Sequence, residues 1–284
     1  SASDVWSRMY SKAVGEATGW RFLIDNKPGA GATLGTAFVA KAAADAHTLL
    51  TVSSTFTTAP VTYKNLGWDP LRSFAPISLF SNGSSMLMVH PSLPVKNYVE
   101  YVAYARANPG RISFGNSGVG STYHLSGIAL HKAMGAEVTY IPYKGSGDVT
   151  NAILAGEIQA MFGAISVNLP VVKGGKARAL GVTTKRRASA APDLPTLADL
   201  CNCDFEHNAW TGVVAPAGSP PAALNALSRE FIKAGSTPDI AKRLSGAGME
   251  AGGSTPEVLG HIIASETEKW SRVVRENNLV IQPE

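Results

Sequence analysis

One stretch of the chain combines residue types that could bind an anion. Residues 114–124 read Phe-Gly-Asn-Ser-Gly-Val-Gly-Ser-Thr-Tyr-His. Glycines let a backbone approach a ligand closely, and hydroxyls beside the unpaired N–H groups of a helix start attract negative charge. A carboxylate suits such a loop, although a plain turn with Ser121 as helix N-cap would explain the same residues. The candidate binding residues here are Ser117, Gly118, Gly120, Ser121 and Thr122.

The sequences on either side predict the elements that position this loop. Residues 111–114 favour a short strand, and Leu125, Ile128 and Ala129 follow at helical spacing. The loop therefore joins the carboxyl end of a strand to a helix. Open α/β sheets bind their ligands at such ends.

Similar junctions recur elsewhere in the chain. Predicted strands at 47–52, 138–141 and 158–162 each lead into a polar or glycine-containing loop. Lys144, in the second of these loops, could meet a carboxylate or could simply point to water. The candidate binding residues at these junctions are Ser53, Ser54, Thr55, Phe56, Tyr143, Lys144, Gly145, Ser146, Gly163 and Ala164.

Catalytic motifs are weak by comparison. Residues 115–119 break the G-x-S-x-G pattern of a hydrolase nucleophile at its last position, and Ser121 with His124 lacks an orienting acid. A glycine-rich loop at 27–35 departs from the G-x-G-x-x-G dinucleotide pattern. The six histidines are dispersed without metal-ligand spacing. We therefore expect no catalytic residues, no metal and no cofactor.

The composition limits the classes of protein to which the chain can belong. The chain has 284 residues, 45% of them hydrophobic and 16% charged, with a formal net charge of +4, which is typical of a folded α/β protein with two domains. The positive charge is scattered, so no nucleic-acid partner is expected. No apolar run approaches the roughly 18 residues that cross a bilayer, so membrane insertion is not expected.

Cys201 and Cys203 are awkwardly close for an unstrained disulfide, and whether they are joined or free stays open.

The order of predicted elements gives a layout of two α/β lobes. Apolar stretches around 86–89 and 210–215 are suitable crossings. One lobe would comprise residues 1–88 and 209–284, the other residues 89–208, and a hinged cleft between them would receive the candidate loops. A strand is predicted at 21–24, and helix starts are predicted at three hydroxyl–proline pairs, Ser219-Pro220, Thr237-Pro238 and Thr255-Pro256.

An ordered series of short motifs resembles one known family. The motifs occupy residues 26–31, 68–70, 74–77, 90–95, 117–121, 141–146, 154–156 and 215–218. They resemble the Bug/TctC-type solute-binding proteins of tripartite tricarboxylate transporters, and the resemblance runs from Ser3 to the last helix.

That resemblance implies a type II periplasmic-binding-protein fold with two lobes around a ligand cleft. It implies a periplasmic monomer, exported by a signal sequence, that captures a small organic carboxylate and delivers it to membrane transporter subunits without a reaction. It adds Ser3 and Asp4, placed in a first loop, to the binding residues, and its first strand is expected upstream of Ser1.

Phe162-Gly163 departs from the Phe-Asp of many family members, which favours a plain mono- or dicarboxylate over an amino acid. An aromatic or apolar ligand body could lie against Phe56 and Trp210. Two other functions stay open at this point: a sensor that presents the ligand to a receptor kinase, and a Ser/His hydrolase.

Overall fold

The computed structural model describes residues 2–27, 32–63, 65–246, 248–276 and 279. Gly29 and Gly31 of the glycine-rich loop at 27–35 lie outside these residues. Within them the chain alternates helices with short strands, and the predicted α/β class is confirmed.

The elements are numbered in chain order. The strands are β1 (Leu50–Ser53), β2 (Phe74–Val89), β3 (Ser113–Asn116), β4 (Thr139–Pro142), β5 (Ala160–Ala164), β6 (Arg178–Val182), β7 (Asn208–Pro216) and β8 (Met249–Ala251). The helices are α1 (Ala2–Thr18), α2 (Thr33–Ala40), α3 (Thr55–Thr62), α4 (Tyr98–Ala107), α5 (Thr122–Ala133), α6 (Ser146–Ala155), α7 (Ile165–Lys173), α8 (Leu197–Cys201), α9 (Pro221–Gly235), α10 (Pro238–Gly246) and α11 (Pro256–Glu276).

Two compact units divide the chain. Unit 1 is formed by Ser1–Asn82 with Trp210–Val280, and unit 2 contains Gly83–Ala209. The chain passes from one unit to the other within β2 and within β7. The lobe boundaries and the cleft expected from the sequence stay predictions.

Unit 1 has a small sheet built on β1, β7 and the first part of β2. β1 runs antiparallel to β7, with Leu50 opposite Val214 and Ser53 opposite Thr211. β7 and β8 both pair with β2. One apolar core joins α1 to α9 and α10, and another packs α3 and α11 around Trp68 and Trp210.

Residues 20–27 do not form the strand predicted at 21–24. They run as irregular backbone, and no backbone hydrogen bond within the described part of the chain pairs them with a neighbouring strand. Two of the three hydroxyl–proline pairs start helices as predicted, at Pro238 and Pro256, whereas the third helix begins one residue later, at Pro221.

Unit 2 has a five-stranded sheet ordered β6, β2, β5, β3 and β4. β2 is antiparallel to both of its neighbours, while β3 is parallel to β4 and β5. Successive side chains of a strand point to opposite faces. Met86 and Met88 accordingly enter one core, whereas Leu87 and Val89 enter the core on the other face. Residues 86–89 of β2 are buried on both faces, which explains their unbroken apolar sequence.

Local signals fix the helices of unit 2. Asn97 caps α4 by accepting a hydrogen bond from the N–H of Glu100 at 2.9 Å, and the Glu100 carboxylate accepts one from the N–H of Lys96 at 2.7 Å. The Glu100 carboxylate thus bonds the residue before the N-cap, which is a variant of the capping box, where it would bond the N-cap N–H itself. α6 ends at Gly156, whose φ of 76° suits a glycine C-cap.

Candidate functional site

The carboxyl ends of three parallel strands meet at one edge of the unit 2 sheet. β3 lies between β5 and β4, so Asn116, Pro142 and Ala164 end neighbouring strands. The loops 117–121 and 143–145 both begin there. The structure therefore brings together, within unit 2, the candidate residues of three predicted junctions at the place where open α/β sheets bind ligands.

The loop after β3 depends on its glycines. Gly118 has a φ of 122° and Gly120 a φ of 75°, a region that other residues rarely adopt. The N–H of Gly118 donates to Oδ1 of Asn116 at 3.0 Å. The Nδ2 of Asn116 is buried and has no hydrogen-bond partner within the described part of the chain. Asn116 therefore folds the loop back over the strand end and keeps one amide donor available.

Ser121 acts as the N-cap of α5. Its hydroxyl accepts a hydrogen bond from the backbone N–H of His124 at 3.3 Å, and the N–H of Gly120 donates to Nδ1 of the same histidine at 3.1 Å. Burial lowers the pKa of His124. Among the described contacts, no hydrogen bond joins the Ser121 hydroxyl to the His124 ring. This geometry is that of a helix cap and gives the Ser/His hydrolase hypothesis no support.

α6 and α7 begin without side-chain caps. Their N-cap residues are Gly145 and Ala164, and neither start has a side-chain cap hydrogen bond. The helices α4, α5 and α8 of the same unit are capped by Asn97, Ser121 and Thr196. Uncapped first-turn N–H groups with the positive end of the helix dipole favour an anion. Two such helix starts lie at this edge, after the two parallel strands that flank β3.

Tyr143 and Lys144 lie between β4 and α6. The N–H of Tyr143 donates to the carbonyl of Asn116 at 2.9 Å, which ties this loop to the loop after β3. Burial, and secondarily the charge of Glu157, raise the pKa of the Tyr143 phenol, so this hydroxyl stays a donor at neutral pH. The side chain of Lys144 is exposed. Neutral donors therefore dominate this loop, with one lysine at its surface.

The unit 1 candidates at the end of β1 divide into polar and core residues. The Ser53 and Thr55 hydroxyls are 2.9 Å apart, and α3 begins at Thr55 with no side-chain cap from Ser54. Phe56 is 4% exposed and stacks on Trp68, with ring centroids 5.3 Å apart. The hydroxyls and the helix start can meet an anion, while the Phe56 ring is part of the core.

Trp210 is also part of the unit 1 core. It is 2% exposed, and its indole N–H donates to the Glu266 carboxylate at 2.9 Å. An indole in this position is occupied by packing and by its own hydrogen bond. The structure thus gives Trp210 a core role, whereas the sequence suggested an apolar wall for a ligand.

Ser3 and Asp4 lie in the first turn of α1, not in a loop as the resemblance implied. The Asp4 carboxylate accepts hydrogen bonds from Nε of Arg8 at 3.1 Å and from Nδ2 of Asn26 at 2.8 Å. These two partners hold the pKa of Asp4 below its ordinary value. Asp4 is therefore a paired anion, which is poorly suited to contact a carboxylate directly.

A cavity of about 1280 Å³ lies in unit 1. It is larger than the roughly 300–1,000 Å³ of most small-molecule pockets. β1 and residues 20–27 contribute to its walls. Among the predicted site residues, those that line it are Ser3, Asp4, Ser53, Thr55 and Phe56.

Comparison with known proteins identifies the family. The family model described as tripartite tricarboxylate transporter family receptor, TctC, matches residues 7–279. The chain belongs to the TctC family. This confirms the resemblance noted in the sequence, and TctC proteins are extracytoplasmic solute-binding receptors that work with membrane transporter subunits.

Related TctC-family sequences cover nearly the whole chain. The UPF0065 protein in the tcbD-tcbE intergenic region of Pseudomonas sp. (strain P51) is 32% identical over 98% of this chain and 83% of its own length. Protein BugT of Bordetella pertussis is 29% identical over 97% of this chain and 85% of its own.

Solved structures of the family share the fold. R. palustris Rpa4515 with adipate is 28% identical, with a TM-score of 0.85 over 96% of this chain and 91% of that one. Periplasmic binding protein BugD is 30% identical, with a TM-score of 0.83 over 96% and 92%. MatC from Rhodopseudomonas palustris with bound malate is 27% identical, with a TM-score of 0.83 over 96% and 94%.

Two features of the described residues bear on other functions. None of the helices that the structure describes is long and apolar enough to cross a membrane. Within the same residues there is no group of three histidine, cysteine, aspartate or glutamate side chains suited to a metal ion.

Sequence reasoning missed Asn116 as a site residue. Its signal was available, because asparagine two residues before a glycine is a common turn former whose side chain bonds the backbone ahead. That α6 and α7 lack side-chain caps could also have been suspected, since Gly145 and Ala164 carry no side-chain acceptor.

Proposed function

We propose that this protein is a periplasmic solute-binding protein that captures a small organic mono- or dicarboxylate. It delivers the ligand to the membrane subunits of a tripartite tricarboxylate-type transporter, without chemical change. The supporting observation is the edge of the unit 2 sheet, where two uncapped helix starts follow the parallel strands on either side of β3, beside the Gly118–Gly120 loop.

Backbone and hydroxyl donors supply the recognition. One carboxylate oxygen pair would accept from the first-turn N–H groups of α6 and α7, and the loop after β3 would supply further donors. Each charge-assisted hydrogen bond contributes about 1.5–3 kcal/mol net. A few of them, after the entropic cost of capture, are enough for micromolar affinity, near −8 kcal/mol.

The ligand class follows from the same donors. Unit 1 has neutral donors of the same kind, the hydroxyls of Ser53 and Thr55 and the start of α3. Two related structures hold dicarboxylates, adipate in one and malate in the other. Gly163 places no acid beside the donors of unit 2, so an ammonium group would find no partner at that residue.

A thermal-shift panel tests the proposal. The purified protein is heated with straight-chain mono- and dicarboxylates, hydroxy acids, amino acids, sugars, nucleotides and simple cations. A ligand at 100 times its Kd adds about 2.7 kcal/mol to the apparent stability, which is several degrees in Tm. We expect stabilisation by carboxylates. Stabilisation confined to sugars, cations or nucleotides would overturn the proposal.

A further inference from the structure

One buried amide connects the starts of the two uncapped helices of unit 2. Asn168 lies on α7 and is 3% exposed. Its Nδ2 donates to the carbonyl of Ala164, the N-cap of α7, at 3.1 Å. Its Oδ1 accepts from the hydroxyl of Thr150, on α6, at 3.1 Å. Both atoms of this amide group are therefore engaged.

Thr150 carries the connection to the start of α6. The single hydrogen of its hydroxyl is shared between Asn168 and the carbonyl of Ser146, the first residue of that helix, at 3.0 Å. A continuous path of polar contacts thus runs from Ser146 through Thr150 and Asn168 to Ala164. The two helices have no other side-chain hydrogen bond between them among the described residues, so this path fixes the spacing of their first turns.

Gly163 makes room for this connection. A Cβ atom at this residue would lie 2.7 Å from Nδ2 of Asn168 and 2.8 Å from Sδ of Met88. Contacts that short force a neighbour to move. The amide therefore occupies the space that a side chain at residue 163 would need, and glycine there and asparagine at 168 depend on each other.

The charge of the connecting group matters as much as its shape. The asparagine amide is neutral and can donate to one helix while it accepts from the other. An aspartate has the same shape but accepts only, so it would repel the carbonyl of Ala164 and place a negative charge behind two anion-binding helix starts.

We propose that Asn168 is a positioning residue for the ligand carboxylate. Through Thr150 and Ala164 it holds the first turns of α6 and α7 at the spacing that grips one carboxylate, and its neutrality keeps the site selective for anions. This inference rests on the proposed function for its effect on affinity. The connection between the helices is testable without any ligand.

The ligand-free test uses backbone amide shifts in ¹⁵N-labelled protein. Thr150→Val removes the connection from α6, and Asn168→Ala removes it from α7. We expect each variant to shift the first-turn amides of both helices, 146–149 and 165–168. Shifts confined to the helix that carries the substitution would overturn the inference, whatever the protein binds.

The affinity test uses adipate as the probe. Thr150→Val and Asn168→Ala should each weaken binding about tenfold, and the double variant should be no weaker than the weaker single variant, because both remove one connection. Asn168→Asp keeps the shape of the side chain, and its affinity for adipate should be about tenfold lower than that of Asn168→Ala. Wild-type protein that is stabilised by no carboxylate refutes the proposed function instead, and the amide-shift test still decides the inference.

Thr267→Val is the matched control. Thr267 also bonds the carbonyl four residues earlier, at 2.7 Å, but lies on α11 in unit 1. It should lower Tm as much as Thr150→Val while leaving the affinity within about twofold. If Thr150→Val and Asn168→Ala behave like this control, with lower Tm and unchanged affinity, Asn168 has only a structural role and the inference is wrong.

Discussion

The indole N–H of Trp210 donates to the buried Glu266 carboxylate at 2.9 Å, and the hydroxyl of Thr57 lies 3.1 Å from the same oxygen. Burial raises the pKa of Glu266 in spite of these donors. These three residues join β7, α3 and α11 in the core of unit 1. Trp210 therefore has a structural contact that accounts for its position in that core.

We expect Trp210→Phe to destabilise the protein without changing its ligand affinity. The substitution removes a hydrogen bond to a buried acid, which lowers the free energy of unfolding by about 1.5–3 kcal/mol. Urea unfolding measures this change. Trp20→Phe is the control, because Trp20 is 40% exposed and its replacement should change stability by less than about 0.5 kcal/mol. If Trp210→Phe kept its stability but no longer bound adipate, Trp210 would be a ligand-binding residue and this account of its role would be wrong.

Stability should depend on pH through His131. Its Nε2 lies 2.8 Å from the Tyr101 hydroxyl, and its Nδ1 lies 2.7 Å from the Gly127 carbonyl and 3.0 Å from the Tyr140 hydroxyl. Burial lowers the pKa of His131 from 6.5 to about 4. Between these values the unfolded chain binds a proton that the folded protein does not, so the stabilisation is complete above pH 6.5 and is lost as the pH falls toward 4.

The difference between the pKa of His131 in the unfolded and in the folded protein corresponds to about 3 kcal/mol in the free energy of unfolding. We expect the Tm of the wild type to fall more steeply below pH 6.5 than that of His131→Gln, and His261→Gln, at an exposed position, to follow the wild type. The raised pKa of Glu266 acts in the opposite direction and is common to all three proteins. If the Tm of the wild type and that of His131→Gln fell in parallel with pH, the claim that His131 is buried as a neutral imidazole would be contradicted.

Gly118→Ala should weaken carboxylate binding. Gly118 has a φ of 122°, and alanine there costs about 1–3 kcal/mol of backbone strain or moves the loop after β3. We expect about tenfold lower affinity for adipate, measured by calorimetry. Gly135→Ala provides the comparison, since its φ is 61° with open space around it but it follows the far end of α5. Equal affinities of the two variants would show that the loop after β3 takes no part in binding.

The Cys201–Cys203 disulfide should contribute little to the free energy of unfolding. The structure joins the two cysteines across a separation of two residues, which settles what the sequence left open. A loop this short constrains the unfolded chain little, so the double serine variant should lose no more than about 1–2 kcal/mol. Mass spectrometry after alkylation without reductant should find no free thiol in protein from an oxidising compartment. Full labelling of both cysteines would contradict the bond.

Local signals predicted much of unit 2. The pattern of a short strand, a glycine and hydroxyl loop and an amphipathic helix located β3, β4 and their loops, because each feature depends on neighbouring residues alone. Local signals also bound α4, which begins after the N-cap Asn97 and ends at Asn108, before Pro109. The parallel pairing that brings these loops to one edge follows from the alternation of strands and helices.

The sequence could not assign the roles of buried side chains. Phe56 and Trp210 have the composition of an apolar ligand wall, yet they pack in the unit 1 core, where their partners Trp68 and Glu266 are distant in sequence. Residues 21–24 have strand propensity, but a strand exists only where another pairs with it. Asn168 looks like an ordinary helix residue until Thr150 and Gly163 are placed beside it.

The most direct test is a titration of ¹⁵N-labelled protein with adipate, compared with its neutral dimethyl ester. The diester keeps the length and apolar body of the acid but lacks its negative charge. We predict shifts of the amides of Gly118, of Ser146 at the start of α6 and of Ile165 at the start of α7 with the acid, and none with the ester. Equal shifts with both compounds, or acid-induced shifts that avoid these amides, would contradict carboxylate capture at the edge of the unit 2 sheet.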